Sequence, residues 1–443
     1  MDQNRNQPDA WSAAARLVAR WLDRGERVDA LLDTPGALPA GVERARCQHL
    51  VYGVIRHYGR IDAALARLVS HRPRFATHAA LLLAGFELLE AGAGEDATAQ
   101  VAKIVHHAVE QTKRLASPAE ARLVNAVTRK LAPALATPPP PKLAPADVLA
   151  EYFSHPAWLV RSWLAQFGAE ATRALLEWNQ RPAPVYGRWR GSFAKAAEGG
   201  GAPATAAPPE WLKPAAWDGF REVPPGRRAE VEPLLRSGAI YLQDPGTRVA
   251  VELLAPQAGE TVLDACAAPG GKSLMIADAM GAGRLVAMDL PGARIDRLRE
   301  NLARGPAAVD VALVQGDLRD DAAGLLKEHG LPRGFPAVLL DVPCSNTGVM
   351  RHRIDVKWRL QEGDFRKHPR QQLALLTAAA RLVAPGGRIV YSTCSVDTEE
   401  NEHVVRDFLA SRAGAAFALE ANAVVYPWMV GHDGAAAFRL RRK

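Results

Sequence analysis

The stretch Thr261–Ser273, TVLDACAAPGGKS, is an apolar run closed by an acidic residue, then a turn with paired glycines, then the opening of a helix. Strand, glycine turn and helix in that order form the entry unit of a parallel α/β sheet. Four more apolar runs follow: GRLVAMDL (283–290), VDVALVQGD (309–317), PAVLLDVPC (336–344) and GRIVYSTCS (387–395). Amphipathic stretches separate them, so the chain from Ile240 onward reads as βαβ units around a mostly parallel sheet. Ligands of such sheets bind at the carboxyl ends of the strands, and the polar residues of interest all fall there.

Upstream the pattern is different. Residues 1–135 read as helices only. Trp11, Ala14, Val18 and Trp21 share one face of WSAAARLVARWL; Val101, Ile104, Val105 and Val109 do so in QVAKIVHHAVEQTKR; Leu123, Val124, Val127 and Leu131 do so in ARLVNAVTRKL. Basic residues outnumber acidic ones from Lys103 to Lys130, giving a cationic or simply a solvated helix face. The proline tract at 136–146 is a linker. A small α+β linking module is expected over 147–238, and within it Ser192–Pro214 is so rich in Gly, Ala and Pro that a mobile loop or a poorly ordered insertion is expected. The α/β domain is 239–443. The fold class is therefore multidomain: all-α, then small α+β, then a Rossmann-like α/β domain.

A length of 443 residues fits two or three such units, and 48% apolar residues suffice to build their cores. The four cysteines, Cys47, Cys266, Cys344 and Cys394, lie far apart without a CxxC spacing, which argues against a disulfide framework or a zinc knuckle. The polar start MDQNRNQPDAW has no apolar signal core, and nowhere do 18 apolar residues run together. A cytoplasmic protein with no membrane segment is expected. The net charge of +7 suits a nucleic-acid partner, but it equally suits an arginine-rich composition; charge alone does not separate the two.

The turn Cys266–Lys272 (Cys266, Ala267, Ala268, Pro269, Gly270, Gly271, Lys272) precedes a helix amino terminus, where backbone N–H groups favour an anionic group. Asp289 ends the second strand, twenty-five residues after Asp264, where a carboxylate commonly accepts from ribose hydroxyls. Asp317 stands at the end of the third. Neither GxGxxG nor GxxxxGK[ST] is present, so a nucleoside with a single carboxylate fits better than a dinucleotide or a nucleotide phosphate. S-adenosylmethionine is such a ligand. Any one of these aspartates alone is ordinarily a turn or cap residue; three strand ends together are harder to dismiss.

Cys344 follows the fourth strand and Cys394 the fifth, with Asp341 beside them. Adjacent parallel strands would bring both sulfurs into the cofactor cleft. Two structural thiols, a redox pair and nucleophilic catalysis on a pyrimidine all remain open at this point. The last is chemically specific. Cytosine carbon 5 becomes nucleophilic only after a thiolate adds at carbon 6, and a carboxyl group at ring nitrogen 3 stabilises the adduct.

DACAAPGGK, DVPCSNTGVMRHRIDVKWR and YSTCSVDTEENE, in this order and spacing, resemble the signature motifs of the Sun/RsmB-type RNA cytosine-5 methyltransferases over roughly Tyr241 to the end. The resemblance implies Cys394 as the nucleophile, Cys344 as the residue assisting product release, and Asp341 as the base-binding residue against the cofactor. It also implies that Cys266–Lys272, Asp289 and Asp317 hold S-adenosylmethionine. The residues alone do not choose between the thiols, because in DNA cytosine methyltransferases the Pro-Cys thiol attacks. RCQHLVYGVIRHYGRIDAAL, HAALLLAGFELLEA and EARLVNAVTRKLA resemble the helical NusB-like domain of the RsmB branch, which is similar to an RNA-binding transcription factor. FSHPAWLVRSWL and WNQRPAPVYGRW resemble the segment that joins the two. Asn346 stands where the family usually has Gly, a position Asn tolerates in the left-handed conformation. The product implied is 5-methylcytidine in 16S ribosomal RNA. Transfer RNA, or an assembly factor with vestigial catalysis, are the alternatives. A monomer without metal is expected.

Overall fold

The computed structural model describes residues 9–92, 97–191 and 207–443. By contacts it divides into two units. One comprises the chain up to Arg181 together with Arg353–Leu360; the other comprises Pro182–His352 and Gln361–Lys443.

The first unit is helical. Its elements are α1 (Ala10–Arg24), α2 (Val28–Leu32), α3 (Gly41–Ala66), α4 (Phe75–Ala91), α5 (Ala97–Leu115), α6 (Pro118–Leu135), α7 (Ala146–Tyr152) and α8 (Ala157–Gln180). Local chemistry sets their ends. Asp9 caps α1 by accepting from Ser12 N at 2.8 Å, and Gly25 closes it in the left-handed conformation. Ser117 and Glu120 form a reciprocal cap at the start of α6, with Pro118 in the first turn. The α1 face is buried as its spacing predicts. On α6, Val124, Val127 and Leu131 are buried but Leu123 is 39% exposed, because it stands at the edge of the apolar stripe. On α5, Val105 is buried, whereas Val101, Ile104 and Val109 are only partly so.

Arg353–Leu360 completes this unit through α14, residues Val356–Arg359. Lys357 Nζ donates to Arg56 O at 2.9 Å, Trp358 Nε1 donates to Ile55 O at 2.8 Å, and Ile354 joins the helical core. Burial, with the nearby Arg56 charge, pushes the Lys357 ammonium well below the usual lysine range. Both α7 and α8 group with this unit too, Ser154 Oγ accepting from Gly59 N at 2.8 Å, whereas the sequence reading sets 147–238 apart as a module.

The second unit opens with β1 (Val185–Trp189), β2 (Lys213–Pro214), β3 (Phe220–Val223), α9 (Arg228–Ser237) and β4 (Ile240–Leu242), whose strands form an antiparallel sheet in the order β2-β3-β1-β4. Of the tract expected to be mobile, 192–206 lies outside the described residues, while Leu212 is buried and Lys213–Pro214 pairs with β3.

The larger sheet comprises β5 (Thr261–Asp264), β6 (Gly283–Asp289), β7 (Val309–Gln315), β8 (Phe335–Asp341), β9 (Val383–Thr393), β10 (Phe417–Val425) and β11 (Ala435–Arg442), in the order β10-β11-β9-β8-β5-β6-β7. From β9 to β7 every pairing is parallel; β11 and β10 are added antiparallel. α10 (Arg248–Leu254) precedes β5, and between the strands run α11 (Gly271–Met280), α12 (Ile295–Leu302), α13 (Ala322–Glu328), α15 (Asp364–Ala380), α16 (Glu402–Ala410) and the short α17 (Pro427–Val430). The five parallel strands read as near-continuous apolar runs because helices cover both faces. Chain order reverses at β5, between β6 and β8, and the crevice at such a switch point is where ligands lodge. In register, Asp341 lies level with Ser392, and Asp289 with Gln315. Among the described residues no helix is long and apolar enough to cross a membrane.

Candidate active site

The turn after β5 is held by its own backbone and by the next strand. Ala267 N donates to Met288 O at 2.9 Å, and Gly270 N donates to Ala267 O at 2.7 Å. Gly270 has φ +104°, and a Cβ there would lie 2.9 Å from Leu298 Cδ1 and 3.2 Å from Asn301 Cβ, so glycine is required. Asn301 Nδ2 secures the turn from α12 by donating to Pro269 O at 2.7 Å. Asp289 serves the same loop: Ala268 N donates to Oδ2 at 2.7 Å, while Leu290 N at 2.8 Å and Arg294 Nη2 at 3.3 Å donate to Oδ1. A carboxylate with about four lone-pair sites keeps room for another donor. Asp317 lies two residues beyond β7, next to Gly316, whose N donates to Asp289 O at 3.0 Å. Its carboxylate is bound by Arg319 Nη2 at 2.5 Å, which holds it below the usual range.

Asp264, at the end of β5, was not singled out in the sequence, yet it is 1% exposed. Ser273 Oγ donates to its Oδ2 at 2.6 Å, and Oδ1 has no partner among the described residues. Burial pushes this carboxyl up to about 7, against the Ser273 bond and with help from Asp341. An orphaned acidic oxygen under a glycine turn fits a ligand that brings positive charge, as a sulfonium amino acid does. The residues present therefore fit S-adenosylmethionine.

The two cysteines meet. Cys344 Sγ and Cys394 Sγ are 3.2 Å apart, each partly buried. Asn346 adopts the left-handed conformation at φ +62°, as its place in the turn predicts; its Nδ2 donates to Cys344 O at 2.7 Å and its Oδ1 accepts from Cys394 Sγ at 3.4 Å. Asp341 receives Lys272 Nζ at 2.7 Å on one oxygen and Ser392 Oγ at 2.8 Å on the other. Burial alone would lower the Lys272 ammonium, but Asp341, and after it Cys394, hold it above the usual value. Cys266 is a free thiol that burial pushes up.

Beneath the sulfurs lies a buried polar lattice that the sequence reading missed. Thr347 Oγ1 donates to Asp397 Oδ2, Ser395 Oγ donates to the same oxygen at 2.9 Å, and Thr393 Oγ1 donates to Asn401 Oδ1 at 2.6 Å. Glu400, wholly buried, accepts from Ser345 N and from Gln372 Nε2. Gly348 N donates to Cys394 O at 2.9 Å, and a Cβ on Gly348 would lie 2.6 Å from that oxygen. The signal was the density of Ser, Thr and acidic residues after each cysteine, which an eye on the thiols passes over. A second cluster adjoins it in sequence: His352 Nδ1 pairs with Asp433 Oδ2 at 2.9 Å, and Asp244 is pushed up to about 7 by burial and by Asp433.

A seven-stranded sheet of this order, with a glycine turn at its switch point and aspartates at the neighbouring strand ends, defines a Rossmann-like methyltransferase domain. A family described as 16S rRNA methyltransferase RsmB/F matches residues 251–425, and the NusB family matches 6–133. The ribosomal RNA small subunit methyltransferase B of Sodalis glossinidius is 31% identical over 421 residues, covering 91% of this chain and 89% of that protein. Its namesake in Xanthomonas campestris pv. campestris is 32% identical over 417 residues, with 91% and 88% covered. The solved structure of PH0851 shares the fold, with a TM-score of 0.72 at 21% identity over 98% of this chain and 99% of that one. The chain belongs to the RsmB/F methyltransferase family, in the branch that carries a NusB-family domain.

Proposed function

We propose that this protein transfers a methyl group from S-adenosylmethionine to carbon 5 of a cytidine in 16S ribosomal RNA, through a covalent bond between Cys394 and carbon 6. The observation that carries the reading is the sulfur pair, 3.2 Å apart, opening beside the Lys272–Asp341 pair. Purely structural thiols have no need of a charged pair at their side, and an exocyclic-amine methyltransferase has no need of the thiols. The substrate is drawn from the relatives' names, together with the net charge of +7.

In this reading Cys266–Lys272, Asp264, Asp289 and Asp317 hold the cofactor, which supplies an electrophilic methyl group at the cleft. The Cys394 thiolate gives its electron pair to carbon 6, and the charge that spreads towards nitrogen 3 is met by a proton passed from the Lys272–Asp341 pair to that nitrogen. Carbon 5 then takes the methyl group. A base removes the carbon 5 proton, its electron pair re-forms the ring double bond, and Cys394 leaves as thiolate. Cys344 assists that departure as an S–H donor to the leaving sulfur. The cytidine must be unstacked to reach the cleft, which favours an unpaired loop.

Incubation with unmodified 16S ribosomal RNA and methyl-labelled cofactor, followed by nucleoside mass spectrometry, tests the proposal. Label in 5-methylcytidine is expected; label only on an exocyclic amine or ribose, or none at all, refutes it.

A further inference from the structure

The two thiols share one cleft, yet the charges around them differ in sign. Cys344 stands in the Pro343–Ser345 turn, and two wholly buried side chains bracket that turn. Glu400 accepts from Ser345 N at 3.0 Å through Oε2 and at 3.3 Å through Oε1. Gln372 Nε2 donates both to Pro343 O at 3.0 Å and to Glu400 Oε2 at 2.7 Å. A carboxylate therefore lies against the peptide that follows Cys344. Its ion-pair contact among the described residues is His368 Nδ1 at 3.7 Å. Cys394, by contrast, stands within the field of the Lys272 ammonium, which is itself paired with Asp341 at 2.7 Å.

We propose that Glu400 is the positioning residue that assigns the cysteines their roles: by bracketing the Cys344 turn and keeping negative charge against it, it holds Cys344 as the S–H donor and leaves Cys394 as the thiolate. One proton is then shared by two sulfurs, so the pair carries a single negative charge, and that charge sits beside Lys272. This rests on the methyl-transfer reading for its purpose but not for its chemistry. The Cys344 thiol is raised well above the usual value, first by its contact with Cys394, then by burial, then by the Cys394 and Glu400 charges. The groups facing it are Cys394 beyond β9, Tyr391 on β9 and Glu400 ahead of α16, with His368 on α15 against Glu400. Tyr391 donates its hydroxyl to Glu400 O at 2.5 Å.

The test is iodoacetamide alkylation of the full-length protein across pH 6–10, read residue by residue by peptide mass spectrometry. In a Cys394→Ser background, Glu400→Gln is expected to speed Cys344 alkylation at pH 8 about tenfold, the effect of one pKa unit, and to move the profile to lower pH. Glu400→Asp, which keeps the charge, is expected to retain the parent profile. In a Cys344→Ser background, Glu400→Gln is expected to leave Cys394 alkylation within about twofold, since it stands within the field of Lys272. An unchanged Cys344 profile, equal shifts for Gln and Asp, or a variant whose melting shows it unfolded while Glu400→Asp behaves likewise, overturns the assignment. Neither RNA nor methyl donor enters the assay, so failure of the methyl-transfer reading would show separately, as absence of product.

Discussion

Lys272 and Asp341 form a 2.7 Å ion pair from the ends of two neighbouring strands, one residue rising from the glycine turn after β5 and the other closing β8. Because Ser392 takes the second Asp341 oxygen, the carboxylate is fixed in orientation. Asp341→Asn keeps the shape and the Ser392 bond but leaves the ammonium without its counter-charge. Methyl transfer is expected to fall at least about a hundredfold with the melting temperature little changed. Radiolabel transfer beside a thermal melt checks it; near-normal turnover would remove Asp341 from the reaction.

In the proposed mechanism the sulfur pair separates attack from release. Cys394→Ala is expected to abolish transfer outright, whereas Cys344→Ala is expected to accumulate a protein–RNA adduct that survives denaturing electrophoresis. If the Cys344 variant turns over without a shifted band, the division of labour is wrong.

Gly270 and Gly281 make a matched pair of glycines. Both have positive φ, but a Cβ on Gly270 meets Leu298 and Asn301 whereas one on Gly281 meets nothing within 4 Å. Gly281→Ala should cost about 1 kcal/mol. Gly270→Ala should cost about 1–3 kcal/mol from the backbone, with the contact added, and should weaken cofactor binding in calorimetry. Equal losses at the two sites would mean that the turn yields.

The buried Asp264 carboxyl makes stability depend on pH. Its value rises from the ordinary 3.8 to about 7, so the folded state holds the proton more tightly than the unfolded chain. That advantage is complete below about pH 4 and is lost as pH rises through about 7, a span worth about 4 kcal/mol at 1.36 kcal/mol per unit. Ligand-free protein should therefore melt lower at pH 8 than at pH 5, and Asp264→Asn should flatten the difference. Asp244, also near 7, contributes in the same direction, so the variant removes only part of the slope.

The parallel strands were legible because strands covered on both faces must be apolar throughout, and each of the five predicted runs overlaps one, although β9 begins four residues before its run. Adjacency of β8 and β9 then brought Cys344 and Cys394 together, as their positions past the two strands implied. The bracing of Cys344 was not legible: Gln372 and Glu400 come from α15 and the approach to α16, and only the folded packing brings their buried amide and carboxylate together. The orphaned Asp264 oxygen was equally hidden, since an acidic residue ending a strand looks the same whether its oxygens are satisfied or not. Arg353–Leu360 misleads for a different reason. Lying directly after the Cys344 motif, it reads as part of the catalytic half, yet its Lys357 and Trp358 cap carbonyls of α3.

That last arrangement bears on how the protein can be dissected. A fragment cut after Arg181 would lose the eight-residue plug that fills its own interior, exposing Ile55 and Arg56 carbonyls that now have donors. The complementary fragment would carry the same plug as an orphan, its Trp358 and Ile354 stripped of the helical core that now buries them. Recombinant halves should be poorly soluble unless co-expressed, or unless the helical piece is given residues 353–360 back on a tether.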